Sequence, residues 1–564
     1  MTPEKVPADR WPALYALFGI DLRSLALLRV MLGLMLLAMV PAQWFGLGAL
    51  YGDSGVAPRH WILQAGEASR LSLHMISGSG LFECLLIALQ TVAALCLLLG
   101  RASRRAALLS FLLWVSWLNR YPLVVGGGDL VLAWLLFWAA WQPLGARFGF
   151  DAALSDPPPP SDPRHLSVAG AALRITGLMV LAMTAVLTLE APWRWPALGV
   201  LAVLALAPLA GRVGGLLRGL LVGVAALAVL AAALGLPASG ALYPALLATL
   251  TVWVGGGAWQ WLAQRPRARQ PLTIYYDEHC GFCLKAVQLL RTMLALQATE
   301  LRPAQSRART ATLMERYTSW IVIDAQDQAH LKWAAMVALL RASPLMPGLH
   351  HLFALRLWQR PGDALYDWVA RHRSRLGNVT AWLWPRPPGH PELPRSCETL
   401  AGVALLLSLA WAAHQTLPGA PLRGLMQPAL MPWHLDTDWR EALQPRRDDA
   451  TRLVVSGEMA DGRPRNLLAP GTPVDFRNPP DPADASYRWQ QYWSQLATPA
   501  HRGHRRWYAR SLCTAANGAE VTIPGPNALL TVQIDRVSAG EHDDELERVT
   551  LWRQDCFGPD RGRP

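Results

Sequence analysis

The chain has 564 residues, of which 52% are hydrophobic and 16% are charged, and its formal net charge is +12. A chain this long and this apolar excludes a single soluble domain, which would need a more polar surface. The basic excess alone would suit nucleic acid. However, the arginines are distributed as in the loops of membrane proteins, so we expect no nucleic-acid partner.

Nine apolar stretches predict membrane-spanning helices, because lipid-facing helices must be long and nearly uncharged. They are Leu25–Val40, Leu81–Gly100, Ala106–Leu118, Leu130–Leu144, Val168–Leu189, Ala197–Ala210, Leu220–Leu236, Ala241–Leu262 and Leu400–Leu417. The shortest stretches reach across a bilayer only if they extend into their flanks, and a re-entrant loop is the alternative. Hydrophilic sequence precedes the first stretch, so no cleavable signal peptide is predicted.

Arginines are concentrated in alternate loops between these stretches. The clusters are Arg101, Arg104 and Arg105, then Arg212 and Arg218, then Arg265, Arg267 and Arg269. The positive-inside rule places such loops in the cytoplasm, together with the N-terminus. We therefore expect a multi-pass protein of the bacterial inner (cytoplasmic) membrane, in contact with membrane lipids. The segment before the last span would be cytoplasmic and the tail after it extracytoplasmic.

The predicted fold class is a polytopic α-helical membrane protein with an inserted thioredoxin-like α/β domain and a C-terminal α+β domain. The predicted regions are a transmembrane domain at 1–262, a cytoplasmic domain at 271–385, a final transmembrane helix at 396–418 and an extracytoplasmic soluble domain at 420–564. The proline-rich segment Asp156–Pro163 predicts an extended spacer within the first region.

Both soluble regions alternate between strand-like and helix-like patterns. In the first we predict strands Leu272–Tyr276 and Trp320–Asp324 and helices Cys280–Leu296 and Ala334–Arg341. In the second we predict strands Arg452–Ser456, Val521–Ile523, Leu529–Ile534 and Val549–Trp552 and helices Tyr487–Leu496 and Arg506–Ser511.

Cys280 and Cys283 form a Cys-x-x-Cys motif between an apolar strand and a helix-patterned segment. This placement is typical of thioredoxin-like redox domains, because the helix N-terminus lowers the pKa of a thiol. In this interpretation Cys280 is the attacking thiolate, and Cys283 resolves the mixed disulfide.

Two other interpretations of the cysteine pair remain open. A zinc site would need further ligands, for which the segment offers His279, His330, His350, His351 and His372 but no second cysteine pair. The order of strand, motif and helix favours redox chemistry, and we predict no metal. Two ordinary buried cysteines are the remaining alternative.

The sequence Tyr276-Asp277-x-x-Cys280-x-x-Cys283 is similar to the opening motif of the DCC family of thiol-disulfide oxidoreductases. The similarity continues in Trp320–Asp324, Trp333–Ala335 and Tyr366–Arg373 and covers about residues 272–378. This resemblance implies thiol-disulfide exchange with a protein or small-thiol partner, and site residues Tyr276 and Asp277 beside both cysteines. The chain departs from the family in Glu278 and Gly281. It also lacks the proline that thioredoxins carry before the strand that starts here at Trp320.

The apolar half resembles another family. Asp21–Ala26, Tyr51–Arg59 and Asn119–Pro122 with Gly127–Asp129 are similar to the HTTM domain, which bacterial proteins share with vitamin K-dependent γ-glutamyl carboxylase. The C-terminal region resembles the soluble extension of HTTM proteins. A hydrophobic helix bundle can offer a pocket for a quinone or a lipid in the membrane domain, and the sequence makes no cofactor certain.

The carboxylase base is a lysine, and the matching position here is Thr188. The only lysines in the chain are Lys5, Lys285 and Lys332, none of them in a predicted span. Threonine cannot act as an amine base, so carboxylation by that mechanism is not predicted.

Four ionisable residues lie in or beside predicted spans, namely Arg29, Glu83, Arg120 and Asp129. Ionisable groups deep in a membrane are costly, which makes function the default hypothesis for them. The alternative is that they lie at interfaces and pair locally, Arg120 with Asp129 for instance.

Cys513 and Cys556 are the cysteines that follow the last predicted span. An even pair in an oxidising compartment predicts a structural disulfide, with two free buried thiols as the alternative.

Three functions are compatible with these patterns. The leading hypothesis is a membrane protein with a cytoplasmic dithiol domain that acts as a thiol-disulfide oxidoreductase or redox sensor. The second is a carboxylase-like enzyme in which the membrane domain performs the chemistry and the dithiol regulates or regenerates it. The third is a non-enzymatic maturation, immunity or scaffolding factor.

Overall fold

The structure is a computed structural model. It describes residues 12–53, 55–64, 71–156, 162–235, 241–265, 271–296, 298–346, 348–383, 385, 394–416, 423–443, 451–479, 486–518, 523–539 and 546–557. Most of the predicted proline-rich spacer, residues 157–161, lies outside this set.

Helices dominate the first half of the chain, and a short antiparallel ladder of two strands joins two of its loops. The helices are α1 (Pro12–Phe18), α2 (Leu22–Gly46), α3 (Arg59–Gln64), α4 (Gly80–Leu99), α5 (Ser103–Arg120), α6 (Gly127–Ala140), α7 (Phe150–Leu154), α8 (Val168–Thr188), α9 (Ala191–Leu206), α10 (Gly211–Gly235), α11 (Leu242–Thr251) and α12 (Gly256–Ala263). The strands are β1 (Ile20–Asp21) and β2 (Arg164–His165).

Side-chain caps begin several of the long apolar helices. The carboxylate of Asp21 accepts from the amide of Arg23, and the hydroxyl of Ser167 accepts from the amide of Gly170. These bonds satisfy amides that have no partner within the helix. Gly33 lets α2 approach α4 closely, since a Cβ there would lie 2.9 Å from the backbone nitrogen of Leu98.

Among the described residues, six helices are long and apolar enough to cross a membrane. They are Leu22–Leu50, Gly80–Leu99, Val168–Thr188, Ala191–Ala210, Val213–Leu230 and Arg395–His414. The predicted span at 241–262 is instead a pair of helices, α11 and α12, bent by 80° at their junction, and counting the pair as one span gives seven. The prediction of nine spans is therefore not confirmed.

The two remaining predicted spans lie in α5 and α6. The helix α5 includes Arg104, Arg105 and Arg120, and so many charges make it a poor membrane span by composition. The helix α6 has 14 residues, or about 21 Å at 1.5 Å per residue, which is shorter than a hydrocarbon core of about 30 Å. Both helices are largely buried within the bundle, where Trp114 and Trp138 are almost inaccessible.

A four-stranded sheet with helices follows the bundle. Its strands are β3 (Leu272–Tyr276), β4 (Thr299–Pro303), β5 (Ile321–Ile323) and β6 (Ala329–Leu331), in the order β4-β3-β5-β6. The first two are parallel, and β5 is antiparallel to both β3 and β6. The helices are α13 (Gly281–Met293), α14 (Ala308–Tyr317), α15 (Lys332–Ala342), α16 (Leu349–Phe353), α17 (Arg356–Arg371) and α18 (Arg373–Leu383).

The long helix α19 (Arg395–Thr416) leads to the C-terminal region. That region contains α20 (Arg423–Leu430), α21 (Trp439–Leu443), β7 (Thr451–Met459), β8 (Pro464–Asn466), α22 (Tyr487–Leu496), α23 (Arg502–Asn517), β9 (Leu529–Ala539) and β10 (Leu546–Asp555). Its strands form an antiparallel sheet in the order β10-β9-β7-β8. Of the predicted strand Val521–Ile523, only Ile523 is described, and it lies in a bend rather than a strand.

The two sheet-containing regions contact opposite ends of the helix bundle. At one end Phe150 and Leu154 of α7 pack against Leu289 of α13. At the other end the ring of Trp61 lies 4.2 Å from that of His504. The helix α4 connects the two ends, so they are about 30 Å apart along its 20 residues.

Candidate functional site

Cys280 is the N-cap of α13, at the point where the chain leaves β3. Its backbone is extended, and its Sγ accepts a hydrogen bond from the amide of Cys283 at 3.2 Å. The amides of the first helical turn and the helix dipole both stabilise negative charge at this sulfur. The position therefore favours the thiolate form of Cys280 when the pair is reduced.

Cys280 and Cys283 are joined by a disulfide, with their Cα atoms 5.2 Å apart. Both residues are partly exposed. Because thiol-disulfide exchange begins with attack on an accessible sulfur, the bond can be reached by the thiol of a partner.

Asp277 organises the loop between β3 and α13. Its carboxylate accepts hydrogen bonds from the amide of His279, from Nε2 of Gln305 and from Nη1 of Arg373, each at 3.1 Å. Its carbonyl accepts from the amide of Cys280 at 3.1 Å. Asp277 thus positions the cysteine through the loop.

Tyr276 is the last residue of β3 and pairs with Pro303 of β4. Its partly buried ring packs against the apolar core that includes Val287 and Leu339. Tyr276 therefore supports the site by packing on the core of the domain.

A polar cluster lies just before β5, at the position where a proline is missing from the sequence. The amide of Trp320 donates to the hydroxyl of Tyr366 at 2.9 Å, and the buried Oγ of Ser319 accepts from the amide of Lys332 at 3.0 Å. Burial raises the pKa of Tyr366, so its hydroxyl stays protonated. Lys332 also binds Asp367, and this hydrogen bond raises the pKa of the lysine.

A cavity of about 460 Å³ opens beside the cysteine pair, between the first turn of α13 and α18. Its walls are Gly281, Phe282, Lys285, Gly377, Thr380, Ala381 and Pro385. The two helices meet at Gly377, where a Cβ would make only an ordinary contact, 3.9 Å from that of Phe282. The Nζ of Lys285 donates to the carbonyl of Thr380 at 3.2 Å, which places a positive charge in this cavity.

The histidines considered as zinc ligands do not converge on the cysteines. The side chain of His279 is 83% exposed, His330 binds Asp324 at 2.9 Å, and His350 stacks on His351. His372 faces the carbonyl of Trp368. Within the described part of the chain, no group of three or more His, Cys, Asp or Glu residues could hold a metal ion.

Comparison with known protein families accounts for this region. Residues 274–379 match the family described as DCC1-like thiol-disulfide oxidoreductase. These residues form a DCC1-like domain. No curated protein and no solved structure matches the chain. The HTTM resemblance of the apolar half is not shown by these comparisons.

The DCC1-like domain uses residues beyond those singled out from the sequence. Arg373 contacts Asp277, and Tyr366 contacts Trp320. Both Arg373 and Tyr366 belong to the stretch Tyr366–Arg373, which carries part of the family resemblance. That stretch was the signal by which they could have been found. Gln305 and Ser319 gave no such signal, because their roles depend on how the strands pair.

The polar residues of the membrane domain do not form one site. Arg29 is inaccessible and lies at the end of the bundle next to the DCC1-like domain, where it donates to the carbonyl of Phe148 at 2.7 Å. A Cβ at Gly100 or Gly149 would collide with its guanidinium, so these glycines make room for it. The other three residues lie at the opposite end.

Glu83 and His74 form a buried pair, with Oε2 of Glu83 2.5 Å from Nδ1 of His74. The other carboxylate oxygen of Glu83 has no hydrogen-bond partner among the described residues. Arg120 lies nearby and donates to the carbonyl of Ala57 at 3.0 Å, with Asp53 3.9 Å away.

Asp129 pairs with Arg488 of α22, which corrects the suggested pairing with Arg120. The two nitrogens of Arg488 donate to the two carboxylate oxygens at 2.5 and 2.8 Å, and both side chains are buried. Arg488 also donates to the carbonyl of Val124 and covers the ring of Trp117. This pair joins the bundle to the C-terminal region.

Cys513 and Cys556 form the second disulfide, with Cα atoms 5.3 Å apart. It links α23 to the residue that follows β10. The bond therefore fastens the helix to the edge of the C-terminal sheet.

Proposed function

We propose that this protein is an integral membrane thiol-disulfide oxidoreductase whose DCC1-like domain works in the cytoplasm of a bacterium. The observation that carries the proposal is the disulfide between Cys280 and Cys283 at the N-terminus of α13, within a domain of this family. The order of the parallel strands β3 and β4, with the motif-bearing helix between them, supports a thioredoxin-like fold.

The chemistry follows from the position of the two sulfurs. In the reduced protein, the Cys280 thiolate attacks a disulfide of the substrate, forms a mixed disulfide and releases one substrate thiolate, which takes up a proton. Cys283 then loses its proton and attacks Sγ of Cys280, which releases the second substrate thiol. Two electrons pass to the substrate, and the protein is left with the observed disulfide.

The membrane arrangement is proposed from two observations. The two sheet-containing regions contact opposite ends of a bundle with candidate spans, and α19 passes from one to the other. Arginine clusters in the loops favour the end with the DCC1-like domain as the cytoplasmic side. The C-terminal region, with its disulfide between Cys513 and Cys556, would then lie in an oxidising compartment.

Carboxylation in the membrane domain is not supported by the surroundings of Thr188. Its hydroxyl donates to the carbonyl of Thr184 at 2.7 Å, as expected of a threonine inside a helix. A quinone or lipid bound in this domain remains a prediction.

The proposal is tested by redox titration of the purified full-length protein in glutathione buffers, with alkylation of free thiols and mass spectrometry. A background with Cys84, Cys96 and Cys397 changed to serine isolates the two pairs. We expect the pair Cys280/Cys283 to titrate reversibly as a two-electron couple. A pair that never re-forms a disulfide, or never accepts electrons, would overturn the proposal.

A further inference from the structure

The helix α17 exposes an apolar stripe that nothing in the described structure covers. Leu357, Leu365 and Trp368 are 74%, 58% and 48% exposed. Pro361 and Ala364 are also exposed and lie between them. These residues recur at intervals of three and four and therefore share one face of the helix.

The opposite face of α17 packs on its own domain. Gly362 is buried, and a Cβ there would collide with the ring of Trp333 on α15. Asp363 accepts from the amide of Trp333 at 3.1 Å, and Asp367 binds Lys332. The helix is thus fixed by one side, and its acidic groups are engaged there.

Arginines flank the exposed stripe. Arg356, Arg360 and Arg371 are all exposed, and no carboxylate of the described residues lies within ion-pair distance of them. At 100° per residue, Arg360 and Arg371 lie about 60–80° from the centre of the stripe, along one edge, whereas Arg356 lies about 125° from it, on the side of Asp363. A helix with an apolar face rich in Leu and Trp and arginines at its edge suits the surface of an anionic membrane.

The neighbouring helix α18 extends this pattern. Val379 and Trp382 are 50% and 81% exposed. Arg373 and Arg375, also exposed, lie at its N-terminal end.

The chain connects this domain to the helix bundle at both of the domain's ends. The segment 264–271 separates α12 from β3, and the segment 384–394 separates α18 from the candidate span in α19. Eight and eleven extended residues reach at most about 30 and 40 Å. One tether leads to a candidate span and the other to the bent pair of α11 and α12, so a lipid surface is within reach of α17, whereas a soluble partner must be recruited.

We propose that α17, continued by the end of α18, lies in the headgroup region of the membrane. Its apolar stripe enters the acyl boundary, and Arg360 and Arg371 contact anionic phospholipid headgroups. The contact would hold the cysteine pair at the membrane surface, where it meets membrane-bound partners. This surface does not depend on the redox activity proposed above.

The test uses the full-length protein in nanodiscs that contain a phosphatidylglycerol with a photoreactive acyl chain, and identifies labelled peptides by mass spectrometry. We expect label within residues 356–371, and several-fold less in the variant Leu365→Glu. The control Tyr317→Glu changes a half-exposed side chain on α14, outside the proposed surface, and should retain full labelling. A pattern of limited proteolysis within residues 271–383 that matches the parent in each variant shows that the domain is folded.

A change of lipid tests separately the membrane contact of α17 and the role of its arginines. Replacing phosphatidylglycerol by phosphatidylcholine, or changing Arg360 and Arg371 to glutamine, should lower the labelling of α17 several-fold. Equal labelling with both lipids would overturn the role of the arginines. Absence of label from α17 in both lipids would overturn the membrane contact itself.

Discussion

At the scale of single residues, the two cysteines are set apart by their places in the helix. Cys280 precedes α13 and faces its amides, whereas Cys283 lies within the first turn. We expect the variant Cys283→Ser to trap a mixed disulfide with a thiol partner, because the resolving sulfur is missing. The variant Cys280→Ser should trap far less. Non-reducing gels of the full-length protein with a small disulfide substrate measure both, and equal trapping by the two variants would contradict these roles.

Asp277 tests whether loop geometry controls the reactivity of the cysteines. Replacing it by alanine removes the acceptor of three hydrogen bonds, and we expect reduction of the disulfide by dithiothreitol to slow about tenfold, the effect of roughly 1.4 kcal/mol. Asparagine keeps one oxygen for His279 and Gln305 and should stay within about threefold of the parent rate. An asparagine variant as slow as the alanine variant would show that the charge matters instead. Asp461→Ala, on an exposed turn, is the control.

We expect the stability of the loop that follows α2 to depend on pH through Asp53. The hydrogen bond from Arg59 lowers the pKa of this aspartate. A lowered pKa in the folded state contributes stability above the ordinary pKa of aspartate, about 3.9, and this stability is lost as the pH falls through the lowered value.

The protection factors of the amides in residues 55–64, which correct for the slower intrinsic exchange in acid, should therefore fall on acidification below about pH 4. In the variant Asp53→Asn the same peptide should be less protected at neutral pH and change less with acid. Equal pH profiles for the two proteins would contradict the assignment.

At the scale of elements, the close packing of α17 on α15 depends on Gly362. A methyl group at this position would meet the ring of Trp333, so we expect Gly362→Ala to destabilise the domain by about 1–3 kcal/mol. Gly377→Ala is the matched control, because a Cβ there makes only an ordinary contact with Phe282. Limited proteolysis between α15 and α18 measures the difference, and two equally resistant variants would contradict the packing.

At the other end of the bundle, the buried pair of Asp129 and Arg488 holds the C-terminal region on the helices. Removing one partner leaves a buried charge uncompensated, and we expect Arg488→Ala to cost about 3–5 kcal/mol and to loosen the C-terminal region. The double variant Asp129→Ala/Arg488→Ala should recover part of this loss. Thermal unfolding in nanodiscs measures both, and a double variant less stable than either single variant would contradict a coupled pair. Arg463→Ala, at an exposed pair, is the control.

At the scale of the whole molecule, local patterns predicted local structure well. The strand Leu272–Tyr276 and the helix Tyr487–Leu496 have the predicted bounds, because apolar runs and helical periodicity act within a few residues. The sequence also predicted the cysteine pair at a helix start. The different positions of the two cysteines could be predicted from the motif because the strand and the helix adjoin it.

Long-range arrangement could not be predicted in the same way. The partner of Asp129 lies 359 residues away, and no spacing rule connects them. The span count differs because apolar composition does not distinguish a helix that faces lipid from α6, which is short and enclosed by protein. The exposed stripe of α17 could not be predicted either, because only the structure shows which apolar face packs on the domain.

The proposed function requires a reactive dithiol on the cytoplasmic side of a membrane. Labelling with a membrane-impermeant maleimide after mild reduction tests it most directly, in cells that express the full chain with Cys84, Cys96 and Cys397 changed to serine. We expect Cys280 to be labelled only after the cells are permeabilised, and we expect prior oxidation to block the label. Labelling of Cys280 in intact cells, or labelling that oxidation does not affect, would contradict it.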